Sequence, residues 1–280
     1  MPSTRSRAAP PRSDGASRLP SRMLMRLREA RDGLIDAVFP PELAIFDHAT
    51  GLGRSHVLAA IAKHRIADRL EQGPKSAAEL AAEADLNEDA LFRTLRALAT
   101  IGFFKLRKDG RFENSRLSRG LLAGGLMRAR EFSLYYASGS SAAAWGDFAT
   151  TLERGGAGFD RVHGMTVWDW YEKHPDEREM FAHVMMGISV QDAPAIAKLY
   201  PFKEIKTLCD VGGGRGTLLS ELVLRHPHLS GILADAASLE QSSRELLSAR
   251  GVSDRVQIRP SNFFEKVPEG ADAYLLKNIM

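Results

Sequence analysis

The run from Thr207 to Pro227, TLCDVGGGRGTLLSELVLRHP, constrains the fold more than any other part of the chain. A short apolar stretch ends at Val211 and meets glycine at 212, 213, 214 and 216. Leu218, Leu219, Leu222 and Val223 then recur with the helical period. A buried strand, a glycine turn and an amphipathic helix in that order open a parallel, doubly wound sheet. Further strands are predicted at GILAD, ending on Asp235, at Arg255–Arg259 and at Ala273–Lys277, with helical connections between them. Sheets of this kind bind ligands at the carboxyl ends of their strands.

The glycine spacing narrows the ligand. A dinucleotide fingerprint, G-x-G-x-x-G, begun at Gly212 needs glycine at 217, where the chain has Thr217. The pattern present is D-x-G-x-G-x-G, through Asp210, Gly212, Gly214 and Gly216. Such a turn lets a ligand approach the backbone, and Asp235 stands where an acid accepts both hydroxyls of a ribose. The combination implies an adenosyl ligand without a pyrophosphate. A sulfonium cation suits an acidic, aromatic surround, while a nicotinamide dinucleotide in an irregular turn is the competing reading.

The first half of the chain has a different rhythm. Val57, Leu58, Ile61, Ala62, Ile66 and Leu70 mark one helical stripe that Gly73-Pro74 ends. Ser76 with Glu79 forms a capping-box pattern, and Asn87 is placed to cap EDALFRTLRALATIG, which ends at Gly102. Phe103, Phe104 and Leu106 then give way to Asp109-Gly110, and Phe112 resumes, the pattern of a hairpin. Helix, helix, helix, hairpin is the order of a winged helix. The would-be recognition helix carries Glu88, Asp89, Arg93, Thr94 and Arg96, with its acids at the end that would meet the groove, so a scaffold or dimerisation role is expected rather than base readout.

Charge supports that reading. Residues 1–31 hold eight arginines against Asp14 and Glu29, a local balance of +6, so the remaining 249 residues sum to −3. A body of that sign repels phosphate, which argues against general nucleic-acid binding. Residues 1–22, rich in Pro, Ser, Ala and Arg, are expected to form a disordered basic tail. No stretch of about 18 apolar residues occurs, which argues against a membrane helix. Cys209 is the sole cysteine, so no internal disulfide or multi-cysteine metal site is available and a reducing, cytoplasmic setting is expected. All three tryptophans lie between residues 123 and 200, a density that suits the lining of an aromatic or apolar ligand pocket.

Taken in order, HRIADRLEQGPKSAAELA, LFRTLRALATIGFF, FDRVHG, MFAHVM, CDVGGGRGTLL, the ILAD strand end and SNFFEKVPEGADAYLLKNI resemble one known group. These are the S-adenosylmethionine-dependent O-methyltransferases with an N-terminal winged-helix dimerisation domain, which include plant phenolic, acetylserotonin and hydroxyneurosporene methyltransferases. The resemblance runs from about residue 45 to the last residue. It implies an α/β chain, a helical winged-helix dimerisation domain followed by a Rossmann-like class I methyltransferase domain. The expected divisions are a tail at 1–22, the dimerisation domain at 23–122, a helical linker and substrate-pocket segment at 123–200, and the cofactor domain at 201–280.

Position by position, the resemblance implies that Gly212, Gly213 and Gly214 line S-adenosyl-L-methionine and that Asp235 holds its ribose. Asn262 and Phe263 take the places flanking the adenine, with an amide where the group usually has a carboxylate. Lys277 stands where a basic residue nears the cofactor, Tyr171 and Ser189 at its outer wall, and Trp145, Phe159 and Met185 in the substrate pocket. A small hydroxylated acceptor and a homodimer through the N-terminal domain are the expected partners; no metal, nucleic acid or membrane is expected.

In this group a His-Asp pair follows the LLKNIM pattern, and that histidine is the general base. The sequence stops at Met280, four strands into a sheet that has seven in the group, so an incomplete sheet, a lost base and a nearly inactive chain are expected. None of His163, His183, His226 and His228 is assigned as a substitute. The alternatives are a non-catalytic cofactor-binding or dimerising partner and a transcriptional regulator built on the winged helix.

Overall fold

The computed structural model describes residues 40–125 and 127–279, together with Arg26, Glu29, Ala30, Gly33, Leu34 and Val38. The expected basic tail lies outside the described residues. The chain divides into two compact units, Met1–Gly51 and Leu52–Met280. In the first, α1 (Pro41–Ala49) starts with a proline at its first position, where no intrahelical N–H is needed, and carries Glu42 in its first turn.

The second unit holds α2 (Gly51–Lys63) from Leu52 onward, α3 (Ile66–Arg69), α4 (Ala77–Ala84) and α5 (Glu88–Thr100), then the hairpin of β1 (Phe104–Leu106) and β2 (Phe112–Asn114). The single stripe expected from Val57 to Leu70 is two helices, because Arg65 takes a left-handed conformation (φ 53°) and ends the first. The capping box is present in both directions: the Ser76 hydroxyl accepts from Glu79 N–H, and the Glu79 carboxylate accepts from Ser76 N–H at 2.7 Å. Asn87 caps α5 through Ala90 N–H at 2.9 Å. Caps of this kind are worth about 1 kcal/mol each. They orient the helices so that Ile66, Leu80, Leu95, Phe104 and Phe112 close into one core, each at 0 or 1% exposure. Burying such a side chain contributes roughly 1.5–3 kcal/mol.

Residues 129–199 are helical: α6 (Ala129–Tyr136), α7 (Gly139–Gly146), α8 (Phe148–Arg154), α9 (Gly158–His163), α10 (Val167–Lys173) and the long α11 (Pro175–Leu199). Gly187 of α11 is a close-approach glycine, since a Cβ there would stand 2.3 Å from the Met127 carbonyl oxygen.

The strands then follow as read: β3 (Thr207–Val211), α12 (Thr217–Arg225), β4 (Ser230–Ala234), α13 (Glu240–Ala249), β5 (Val256–Ile258) and β6 (Ala273–Leu276). All pairings are parallel, in the order β5-β4-β3-β6. After β5 the chain returns to the far side of β3, so the strand order reverses between β3 and β6. That reversal opens the crevice in which doubly wound sheets place their ligands. Leu218, Leu219, Leu222 and Val223 all face the core as their period requires. The Asp272 carboxylate accepts from Lys206 and Thr207 N–H, both at 2.8 Å, and fixes the start of β6 against β3. Tyr274 and Leu276 alternate outward from β6, which pairs on one side only among the described residues.

Candidate functional site

Four strand ends converge at the crevice. Beyond β3, Gly212, Gly214 and Gly216 hold φ of 65°, 59° and 82°, values that a side chain with a Cβ adopts at a cost. Their surroundings differ. A Cβ on Gly212 would lie 2.3 Å from Ile279 Cδ1 and 3.3 Å from Phe263 Cε1, whereas one on Gly214 would meet nothing within 4 Å. Gly213 is closed by the Asp210 carboxylate and Leu233, each 2.6 Å from its would-be Cβ. The open face of the turn is therefore at Gly214.

Asp235, at the tip of β4, shapes that face. One carboxylate oxygen accepts Gly214 N–H at 2.7 Å and the other accepts Ala236 N–H at 2.7 Å. Each oxygen keeps a lone pair for a ligand hydroxyl. Phe263, after β5, packs on the buried group of Cys209, Val211, Ile232 and Ala234 and so lies beside Gly212. Asn262 is exposed, and its amide is used locally: Nδ2 donates to Glu265 at 2.9 Å, and Oδ1 accepts Phe264 N–H at 3.2 Å. Lys277, past β6, is paired at 3.1 Å with Asp192 of α11.

Asp210 is 2% exposed, and its Oδ2 has no hydrogen-bond donor among the described residues. Burial, then the nearby Asp235 charge, pushes its carboxyl up to about 7, opposed by Lys277 and by the Leu219 N–H. Burial likewise pushes the Cys209 thiol up to about 11, which makes it an inert core residue rather than a nucleophile. The crevice is thus acidic, with one lysine at its rim and one carboxyl poised to accept a donor.

The long helix α11 borders this edge of the sheet. Its Glu179 pairs with Arg215 inside the glycine turn and lies 3.5 Å from His183 Nε2, while Asp192 pairs with Lys277. Ser189 and Met185 are half-buried on the same helix. Tyr171 is buried, its hydroxyl donates to Tyr135 at 3.1 Å, and burial drives its phenol far above the ordinary range. A chain of ring contacts runs Phe148, Trp145, Tyr136, Tyr135, Phe181, Tyr171 and so joins Trp145 to Tyr171. Trp145 itself is 55% exposed. Phe159 belongs to a second ring group, with His163 and Trp170.

The structure therefore brings Gly212, Gly213, Gly214, Asp235, Phe263 and Lys277 to one edge, and leaves Trp145 and Phe159 in separate ring groups. Asp192, Glu179 and Arg215 were not singled out from sequence. Hollows of about 490 Å³ between Glu71, Lys105 and Arg116, and of about 510 Å³ beside Arg244 and Ile258, lie elsewhere.

Comparison with known proteins gives this edge a context. Residues 46–124 match the O-methyltransferase dimerisation domain, and residues 145–280 match the O-methyltransferase domain. The chain is 32% identical over 240 residues to a mitomycin biosynthesis 6-O-methyltransferase of Streptomyces lavendulae, covering 85% of this chain and 69% of that protein. It is 31% identical over 231 residues to the phenazine O-methyltransferase PhzM of Lysobacter antibioticus, covering 82% and 67%. Among solved structures, CalO1, a methyltransferase of calicheamicin biosynthesis in its SAH-bound form, superposes with a TM-score of 0.71 at 29% identity, covering 85% of this chain and 71% of that one.

Proposed function

We propose, from the premise that this chain belongs to the O-methyltransferase family whose N-terminal region is a dimerisation domain, that the crevice between β3 and β6 holds S-adenosyl-L-methionine against Gly214 and Asp235. The observation that carries the reading is the pairing of an open turn at Gly214 with an acid whose two oxygens frame it.

The residues present fit the cofactor. Gly214 leaves room for close approach, Asp235 has lone pairs for two ribose hydroxyls, and Asp210 Oδ2 is a buried acceptor without a donor among the described residues. Lys277 supplies a positive charge that acts on that acid. When bound, S-adenosylmethionine supplies an electrophilic methyl group on a sulfonium sulfur. Gly212 to Gly214, Asp235 and Phe263 fix where an adenosyl group can lie, and an acceptor oxygen held nearly in line makes positioning a large share of the rate. Asn262 Oδ1, which accepts Phe264 N–H, keeps a second lone pair for an adenine amino group.

The acceptor is a small hydroxylated aromatic or polyketide-type molecule. The relatives named for mitomycin and phenazine support this class, as does the ring chain from Phe148 to Tyr171. Trp145, Phe159 and Met185 are its candidate contacts, and Tyr171 and Ser189 border the cofactor. Two copies associate through the N-terminal region, for which the match to a dimerisation domain at residues 46–124 is the support. No described helix is long and apolar enough to cross a membrane.

Incubation of the chain with methyl-labelled S-adenosylmethionine and a panel of hydroxylated aromatics, read by mass spectrometry, tests the reading. A product heavier by one methyl group supports it. Failure to bind either S-adenosylmethionine or S-adenosylhomocysteine overturns it.

A further inference from the structure

The N-terminal part of α11 carries two carboxylates, Glu177 and Glu179, that grip different parts of the molecule. Glu177 Oε2 accepts the Ser140 hydroxyl at the start of α7 and the Trp170 indole N–H of α10, the latter at 3.1 Å. Glu179, two residues on, holds Arg215 within the glycine turn. Successive helical residues turn by about 100°, so side chains at these two positions leave the helix on opposite sides.

The far side of the Glu177 contact is itself a fixed node. The Trp170 ring stacks on His174 at 3.7 Å between centroids and 14° between planes, and lies 4.5 Å from the His163 ring. His163 Nε2 meets the Ser140 carbonyl oxygen at 3.0 Å, and His174 Nδ1 meets the Trp170 carbonyl oxygen at 2.9 Å. Helices α7, α9 and α10 thus converge on one half-buried carboxylate. On the near side, Arg215 stands between two glycines of positive φ, and its guanidinium is held by Glu179.

We propose that the N-terminal part of α11 is a joint that relays occupancy of the glycine turn to the helices around the acceptor, with Glu177 as the positioning residue on the acceptor side and Glu179 on the cofactor side. The proposal rests on the reading of Gly214 and Asp235 as the cofactor site. A ligand seated against Gly214 displaces Arg215, Glu179 moves with it, and the rigid helical turn carries Glu177, Ser140 and Trp170. Coupling of this kind needs elements joined by specific contacts, and here an ion pair at Glu179 and two hydrogen bonds at Glu177 are joined through the backbone of one helix.

The test uses the three tryptophans as reporters. The full chain is labelled with ¹⁵N at the indole nitrogens, Trp170 is assigned from a Trp170→Phe variant, and S-adenosylhomocysteine is titrated in parallel by calorimetry and by NMR. In the wild type, the Trp170 indole signal shifts in step with binding. In Glu179→Ala that signal keeps its slow solvent exchange, because Glu177 still accepts it, but no longer responds to ligand. Glu177→Ala loses both the slow exchange and the response, and Glu177→Gln, which keeps an acceptor oxygen, restores them. Should Glu177→Ala fail to fold, the Glu179→Ala and Glu177→Gln arms decide. Measurable binding with a silent Trp170 in the wild type, or a full response in Glu179→Ala, overturns the joint alone. Absence of binding heat overturns the cofactor reading and the joint with it.

Discussion

Asp235 accepts the backbone N–H of Gly214 at 2.7 Å across the carboxyl edge of the sheet, so the tip of β4 sets the conformation of the turn after β3. The same carboxylate is the proposed ribose acceptor, which makes its removal a sensitive probe. Asp235→Ala takes away two acceptor oxygens, each worth roughly 0.5–1.5 kcal/mol net. The expected result is a fall of about 10- to 100-fold in affinity for S-adenosylhomocysteine by calorimetry, at about 1.4 kcal/mol per decade. Asp235→Asn keeps one acceptor for Gly214 and is expected to lose less.

Gly212 and Gly214 separate conformational strain from crowding. Both have positive φ, so alanine at either position costs about 1–2 kcal/mol from the left-handed conformation alone. At Gly212 the new methyl also meets Ile279 at 2.3 Å, while at Gly214 it meets open space. Urea denaturation should show Gly212→Ala to be the more destabilised of the two. Ligand affinity should show the reverse emphasis, with Gly214→Ala losing binding beyond its effect on stability.

The buried Asp210 predicts a dependence of stability on pH. Its carboxyl rises from 3.8 to about 7 on folding, so the folded chain keeps a proton that the unfolded chain releases. Stability from this group is therefore complete below about pH 4, declines as pH climbs to about 7, and is lower by a few kcal/mol above that. Asp210→Asn should flatten this slope in a series of urea titrations from pH 4 to 8. A slope unchanged by that substitution contradicts the assignment.

Lys277 is the cation that opposes the rise at Asp210 and the partner of Asp192. Lys277→Met removes both interactions. The Asp210 titration step is then expected to move to higher pH, and S-adenosylhomocysteine affinity to fall about tenfold, at about 1.4 kcal/mol per decade. An unchanged titration step in this variant argues that Lys277 lies too far from Asp210 to act on it.

The parts of the molecule that sequence revealed are those whose causes are local. The Ser76–Glu79 box, the Asn87 cap, the turn at Asp109-Gly110 and the glycine turn all appear where their patterns lie, because each is settled by neighbours within a few residues. The break at Arg65 gave no such signal: arginine has no preference for positive φ, and its conformation is imposed by the packing of Ile66 and Leu70 into the core. The pairs Asp192–Lys277, Glu179–Arg215 and Glu177–Ser140 join distant segments, and only the folded arrangement brings them together. Asn262 had a readable cue, since an asparagine followed three residues later by Glu265 is a pattern for local side-chain bonding. Composition marked the aromatic segment at 123–200, but not its division into a ring chain through Trp145 and a node around Trp170.

The most direct measurement is calorimetric titration of S-adenosylhomocysteine into the 280-residue chain, repeated with Asp235→Ala and with NADH as the injected ligand. One saturable site per chain, weakened in Asp235→Ala and not filled by NADH, is the expected result. No binding by the folded wild-type chain, or binding indifferent to Asp235, would contradict the placement of the cofactor between β3 and β6.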